Sequence, residues 1–328
     1  MASGGDEDKN PRPPKDMMSL LAYCAGAGQN QSSSSHPGSN EHVLDPERKE
    51  WLQEALKGLS SDHIQQMQAC IDVIKTKGSD DDFIERQTQA LEELIDCCDK
   101  IDFAIDFHKI NGFQIFPIVL HHEEAELRSL GAELIAVLVQ NNPYCQNAVL
   151  SANLLPLLLE LLDKDENSTV RVKALYAVSC LCRDSQDAQK VFTDCDGFSV
   201  LMRAMQSDVE KLVIKAAFFL CHMCIDQPVL KDILCDIGMI DQLVGHLSEE
   251  HTATHEHVMG ALLTIVTNHD RALQEAQKPH LNLVDLLTRR IEEIANVPEF
   301  QEETEYAEGL LKLLINTQQS NSGCAATR

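Results

Sequence analysis

Hydrophobic and polar positions through the middle of the chain recur with a helical period. In 169–183 (Thr-Val-Arg-Val-Lys-Ala-Leu-Tyr-Ala-Val-Ser-Cys-Leu-Cys-Arg), Val170, Ala174, Ala177, Val178 and Leu181 share one helical face. Similar segments surround it, each with an alanine at the corresponding place: Ala132, Ala174, Ala216 and Ala261, at intervals of 42, 42 and 45 residues. A fixed period in the low forties, filled by helices, predicts stacked repeats that bury their cores only against their neighbours.

Each period reads as three helices. A short first helix ends at Asn111-Gly112, Ala152-Asn153, Asp196-Gly197 or Ile237-Gly238, where Gly or Asn suits a left-handed C-terminus. A second helix is predicted over 114–121, 154–162, 199–205 and 240–247, and a longer third over 125–141, 168–183, 208–225 and 255–268. Pro143 and Pro228 follow third helices, where proline can begin the next repeat but cannot prolong the last. The pattern predicts an all-α fold: an armadillo-like right-handed superhelix (alpha solenoid) of about four repeats over 101–269. Asp45-Pro46 is a helix start, and helices over 46–58, 61–76 and 81–100 form an expected N-terminal cap, 46–100. A Glu-rich segment, 270–316, is the expected C-terminal cap. Residues 1–45, rich in Gly, Ser, Pro and Asn, read as a disordered arm containing a short apolar segment, 15–28, and 317–328 as a disordered tail.

Charge narrows the function. Against 52 Asp and Glu the chain has 27 Lys and Arg, a net −25, which opposes nucleic-acid and anionic-membrane partners. The 12 cysteines are scattered through predicted helices, as reduced core residues of a cytoplasmic or nuclear protein would be. A signal-peptide reading of 17–27 is opposed by Asp6, Glu7, Asp8 and Asp16 before it and Ser19 within it. No Gly-rich phosphate loop, nucleophile elbow or zinc-protease helix occurs. Cys221-His-Met-Cys224 has zinc-like spacing but lacks a second pair, and a helix-core reading suits it better. His251, His255, Glu256 and His257 include an i, i+4 histidine pair that could ligate metal, although a solvated or protein-contact face is the better reading. No catalytic residue, cofactor or metal is therefore assigned.

Third helices of stacked repeats usually line the binding groove. Counting two and six residues from each repeated alanine predicts an exposed face of Leu134 and Leu138, Tyr176 and Cys180, Phe218 and His222, Leu263 and Thr267. Arg128, Arg171, Lys173, Lys211 and Lys215 lie about one turn earlier. Aromatics beside Arg and Lys are typical of interaction hot spots. The candidate contact residues are Arg128, Leu134, Arg171, Lys173, Tyr176, Lys211, Lys215, Phe218 and His222. An adaptor that reads an extended peptide is the alternative. The Trp and Asn ladder such grooves carry is missing, since the one tryptophan, Trp51, precedes the repeats.

Four runs bring in a family resemblance: Val170-Arg-Val-Lys-Ala-Leu-Tyr-Ala-Val-Ser-Cys-Leu181, Asp196-Gly-Phe-Ser-Val-Leu-Met-Arg-Ala-Met205, the stretch from His255 (His-Glu-His-Val-Met-Gly-Ala-Leu) and Glu50-Trp-Leu-Gln-Glu-Ala55. Over roughly 46–316 the chain resembles the armadillo-type nucleotide exchange factors of the seventy-kilodalton heat-shock chaperones. The resemblance implies a co-chaperone, not an enzyme, and a monomer is the default expectation. Its concave face would grip one lobe of the chaperone's ATPase domain, promoting ADP and client release. It also implies that Met17, Met18, Leu20, Leu21 and Tyr23, beside Lys15, compete for the chaperone's peptide groove.

Overall fold

The computed structural model describes residues 63–76, 78, 81–295 and 297–325. The readings made on the arm, on Met17, Met18, Leu20, Leu21 and Tyr23, and on Trp51 lie outside the described residues. The chain divides into two compact units, Met1–Ala69 and Cys70–Arg328. The helix over 63–75 (α1) contains the described part of the first; everything below concerns the second.

The described residues are helical, without a β-strand. The predicted three-helix order is present throughout. The first set is α2 Asp81–Cys98 and α3 Ile101–Lys109, a 3-10 turn Gly112–Ile115 with α4 Phe116–Val119, then α5 Ala125–Val139. Next come α6 Pro143–Ser151, α7 Leu155–Lys164 and α8 Ser168–Cys182. The third set is α9 Gln186–Asp194, α10 Gly197–Met205 and α11 Glu210–Asp226; the fourth is α12 Leu230–Asp236, α13 Met239–Leu247 and α14 Thr254–Val266. The segment expected as the C-terminal cap keeps the same order, with α15 Asp270–Ala276, α16 Leu283–Ile294 and α17 Gln301–Ala325. Its many glutamates hide the period in the sequence.

The long helices form one row: α2 packs on α5, α5 on α8, α8 on α11, α11 on α14 and α14 on α17. At the seams sit Ala132, Ala174, Ala216 and Ala261, all with no solvent exposure. A methyl-sized side chain at each recurrence lets neighbouring helices approach closely. No single helix among the described residues is long and apolar enough to cross a membrane.

Two devices fix each repeat. The first is the turn between first and second helices, where Asn111, Asn153, Asp196 and Gly238 take left-handed backbone with φ of 63°, 54°, 57° and 73°. The turns were predicted with Gly or Asn in the left-handed role, which holds at Asn111, Asn153 and Gly238, whereas at Asp196-Gly197 the aspartate takes it. Gly112 and Gly197 have ordinary φ; they are needed for space, because a Cβ at either would overlap the ring of Phe107 or Phe192 five residues earlier. The second device is a buried polar side chain on the first helix that reaches the exposed carbonyls ending its own third helix. Gln146 Nε2 donates to the carbonyls of Cys180 (3.2 Å) and Arg183 (3.0 Å), and Lys231 Nζ to that of Thr267 (2.7 Å). These groups are buried and satisfied, so they stabilise the stack without being sites.

Candidate functional site

The nine candidate contact residues separate into three groups. Leu134 belongs to the core: it has no solvent exposure, as is also true of Leu138, while Cys180 is 8% exposed. The prediction of an exposed face at these positions is corrected. Helix α5 is flanked by α2 and α8, and a helix covered on both sides buries more of its circumference than an alanine offset conveys.

Arg128, Arg171 and Lys173 are spent on the stack. The Arg128 guanidinium donates two hydrogen bonds to Asp165, Nε to Oδ2 at 2.7 Å and Nη2 to Oδ1 at 2.9 Å, and Nη1 donates to the carbonyls of His122 and Glu123. It thereby ties the turn before α5 to the turn before α8. Burial would raise the Asp165 carboxyl, but Arg128 and the Asn167 N–H overcome it and hold it below the usual carboxylate range. Arg171 Nε donates to the Leu162 carbonyl at 2.9 Å, and Lys173 pairs with Glu133 at 2.5 Å.

Tyr176, Lys215, Phe218 and His222 form one surface, and Lys211 stands a turn before Lys215 on the same helix. The i, i+3, i+7 spacing along α11 aims Lys215, Phe218 and His222 to one side, and Tyr176 meets them from α8. Together with Gln140, Ser179 and Arg183 they line a cleft of about 220 Å³. Lys215 Nζ lies 5.4 Å from the centre of the Tyr176 ring, a cation–π distance. The Tyr176 hydroxyl donates to Gln140 Oε1 at 3.3 Å, and burial raises its pKa. Phe218 is 59% exposed, and its ring rests against His257, centroids 4.8 Å apart. His222 Nε2 lies 3.3 Å from Asp226 Oδ2 but is not aligned for a hydrogen bond.

Sequence reasoning missed Gln140 and Arg183, which end third helices and reach the cleft only through stacking. It also missed Ile225 and Val229, apolar side chains 68% and 69% exposed. Ile225 continues the Phe218–His222 line in the last turn of α11, where its i+7 spacing from Phe218 was a usable signal, and Val229 caps the start of α12.

Of the histidine group, read from sequence as a solvated or protein-contact face, His255 is instead buried, while His251, Glu256 and His257 are half-exposed. His251, His255 and Glu303 of α17 offer ligand atoms within 4.8 Å of one another. The buried Arg290 guanidinium occupies that space, however: its Nη1 meets His255 Nδ1 at 2.9 Å and Glu303 Oε1 at 3.3 Å. His251 Nε2 completes the set against Glu303 Oε2 at 2.8 Å. An arginine already compensating the buried carboxylate makes this a polar lock between α14, α16 and α17 rather than a metal centre. Burial foremost, then the charge of Arg290, pushes His255 down to about 3, so the ring is neutral. The zinc-like cysteine pair lies inside α11, with Cys224 fully enclosed and both thiols raised by burial, chemistry that disfavours a thiolate metal ligand.

Fold and surface thus define an armadillo-type helical repeat protein whose long-helix row presents an exposed cationic and aromatic face. A designed armadillo repeat protein, 15% identical, superposes with a TM-score of 0.60 over 75% of this chain and 98% of its own. The match in sequence is more specific. Residues 103–236 fit the SIL1/FES1/HPBP1 C-terminal domain and residues 17–107 the nucleotide exchange factor Fes1. Hsp70-binding protein 1 of Macaca fascicularis is 37% identical over 324 residues, covering 95% of this chain and 88% of the relative. The Hsp70 nucleotide exchange factor FES1 of Gibberella zeae is 30% identical over 144 residues, covering 44% and 67%. The chain belongs to this family, the Hsp70-binding protein 1 and Fes1 group of Hsp70 nucleotide exchange factors.

Proposed function

We propose that the protein binds the ATPase domain of an Hsp70 chaperone as a monomer in the cytoplasm or nucleus, and that it accelerates ADP release. The contact surface is the exposed side of the long-helix row around Tyr176, Lys211, Lys215, Phe218 and His222. The observation that carries the reading is the 37% identity to Hsp70-binding protein 1 across nearly the whole chain.

Physically, exchange requires only differential affinity. A partner that fits the open ATPase domain better than the closed, ADP-bound one shifts the population towards the open state. Each tenfold of shift needs about 1.4 kcal/mol of differential binding. A rigid stack suits this work because its row does not deform to follow a closing partner. The hydrolytic chemistry belongs to the chaperone. Release of client is reinforced if the segment around Met17, Met18, Leu20, Leu21 and Tyr23 occupies the chaperone's peptide groove.

Stopped-flow release of a fluorescent ADP analogue from Hsp70 tests the reading. Stoichiometric protein accelerates release if it is right, and an unchanged rate discards it. Deleting residues 1–30 is expected to leave exchange intact and slow client release.

A further inference from the structure

We infer that the cleft between α8 and α11 is a receptor for a carboxylate side chain on the folded partner, and that the row as a whole recognises a partner surface of matching polarity. The inference rests on the function proposed above and specifies its chemistry.

Three observations carry it. First, Arg128, Lys164, Lys173, Arg203, Arg271, Lys278 and Arg290 are all engaged by carboxylates of the chain itself. Arg183, Lys211 and Lys215 are exposed and carry no such pair, although the chain is 25 charges negative. Lys190 and Lys312 are likewise exposed and without such a pair, but Arg183 and Lys215 line one cleft together, and that convergence leaves room there for an external anion.

Second, the cleft is built as a receptor. Lys215 is held over the Tyr176 ring, Tyr176 is anchored on Gln140, and the exposed Phe218 ring borders the opening. The ammonium is therefore positioned before a ligand arrives, so less is lost in ordering it when an ion pair forms. The volume of about 220 Å³ suits a side chain rather than a nucleotide.

Third, the same row ends in the opposite charge. Glu256 of α14, Glu299 just before α17, and Glu302 and Glu305 of α17 line a shallow, mostly polar depression. A free polyanion such as ADP would be repelled by the chain as a whole. A folded partner is not, because it can set an acidic group into the cleft and basic residues against the glutamates. Such paired potentials fix orientation and reject wrong partners.

The test uses the full chain and the isolated Hsp70 ATPase domain, with binding followed calorimetrically at low and at physiological salt. Lys215→Glu is expected to weaken binding about tenfold or more and Lys215→Met about threefold, with a shallower salt dependence in both. Lys215 and Arg183 are solvent-exposed, so thermal unfolding of variants at either position is expected to stay at the wild-type midpoint. If the wild type binds and Lys215→Glu and Arg183→Glu both stay within about twofold of it, the receptor assignment is wrong and the proposed function survives. Absence of wild-type binding overturns both. Binding of ADP to the free protein, lost in Lys215→Glu, would make the anion a phosphate and overturn the assignment to a partner carboxylate.

Discussion

Phe218 and Phe219 are adjacent in the chain and have opposite roles. Phe218 is mostly exposed beside the cleft, whereas Phe219 is 2% exposed and its ring meets Phe192 edge-on at 5.3 Å. Phe218→Ala is expected to leave stability unchanged and to weaken Hsp70 binding by about 1–2 kcal/mol. Phe219→Ala is expected to destabilise the fold by about 3–5 kcal/mol. Urea unfolding and calorimetric binding, measured on both variants, separate the two effects. Equal losses of stability would show that Phe218 also belongs to the core. His255 makes a second residue-scale prediction. The folded chain keeps it neutral down to about 3, while an unfolded histidine takes a proton near 6.5. Between those values the unfolded state binds one more proton, so stability falls as pH falls through that window, by about 1.4 kcal/mol per unit. Unfolding free energy is expected to drop by about 2 kcal/mol between pH 6.5 and 5. In His255→Gln, which keeps an acceptor for Arg290, the slope is expected to flatten.

At the scale of elements, repeat identity depends on a few recurring local solutions. Phe107 with Gly112 and Phe192 with Gly197 are one device used twice, in which a ring lies where a Cβ would otherwise stand. Gly197→Ala is expected to cost about 1–3 kcal/mol through overpacking. Asp196, which actually has the left-handed φ, should tolerate Gly with a change of only a few tenths. If the two substitutions rank the other way, the turn is limited by backbone strain rather than by space. The Arg128–Asp165 brace links successive repeats with a carboxylate side chain only 4% exposed. Asp165→Ala leaves the guanidinium without its main partner, and a loss of about 2 kcal/mol in chemical denaturation is expected. The turns were partly legible in advance, whereas Arg128 reads from sequence as a contact residue and not as a brace. Asn-Gly and Asp-Gly pairs marked the turns, but which residue takes positive φ depends on where the preceding phenylalanine ring packs.

Over the whole molecule, stability is a sum of nearest-neighbour interfaces. Helix α14 is covered by α17, and α16 packs on α17 as well. A chain ending at residue 282 would expose the apolar side of α14 and lose the Arg290–Glu303 pair. It is expected to populate the soluble monomer poorly in size-exclusion chromatography and to unfold less cooperatively. A monomeric, cooperative truncated form would refute the structural role given to the last triplet. The cap expected over 270–316 shows how this was concealed, because α16 and α17 direct their glutamates outwards, Glu303 excepted, and so blur the hydrophobic period that made the earlier triplets visible.

The sequence by itself determined the helical triplets, their period and the buried alanines, because these follow from local spacing and from what a helix must bury. It also made the face around Tyr176, Lys215 and Phe218 visible as a composition out of keeping with so acidic a chain. Only the tertiary structure decided which of the candidate cations remain free, that Leu134 is enclosed, and that an arginine fills the gap between two histidines and a glutamate. Each of those outcomes depends on a partner some 13 to 52 residues away along the chain, and linear spacing cannot show which side chain will reach across to satisfy another.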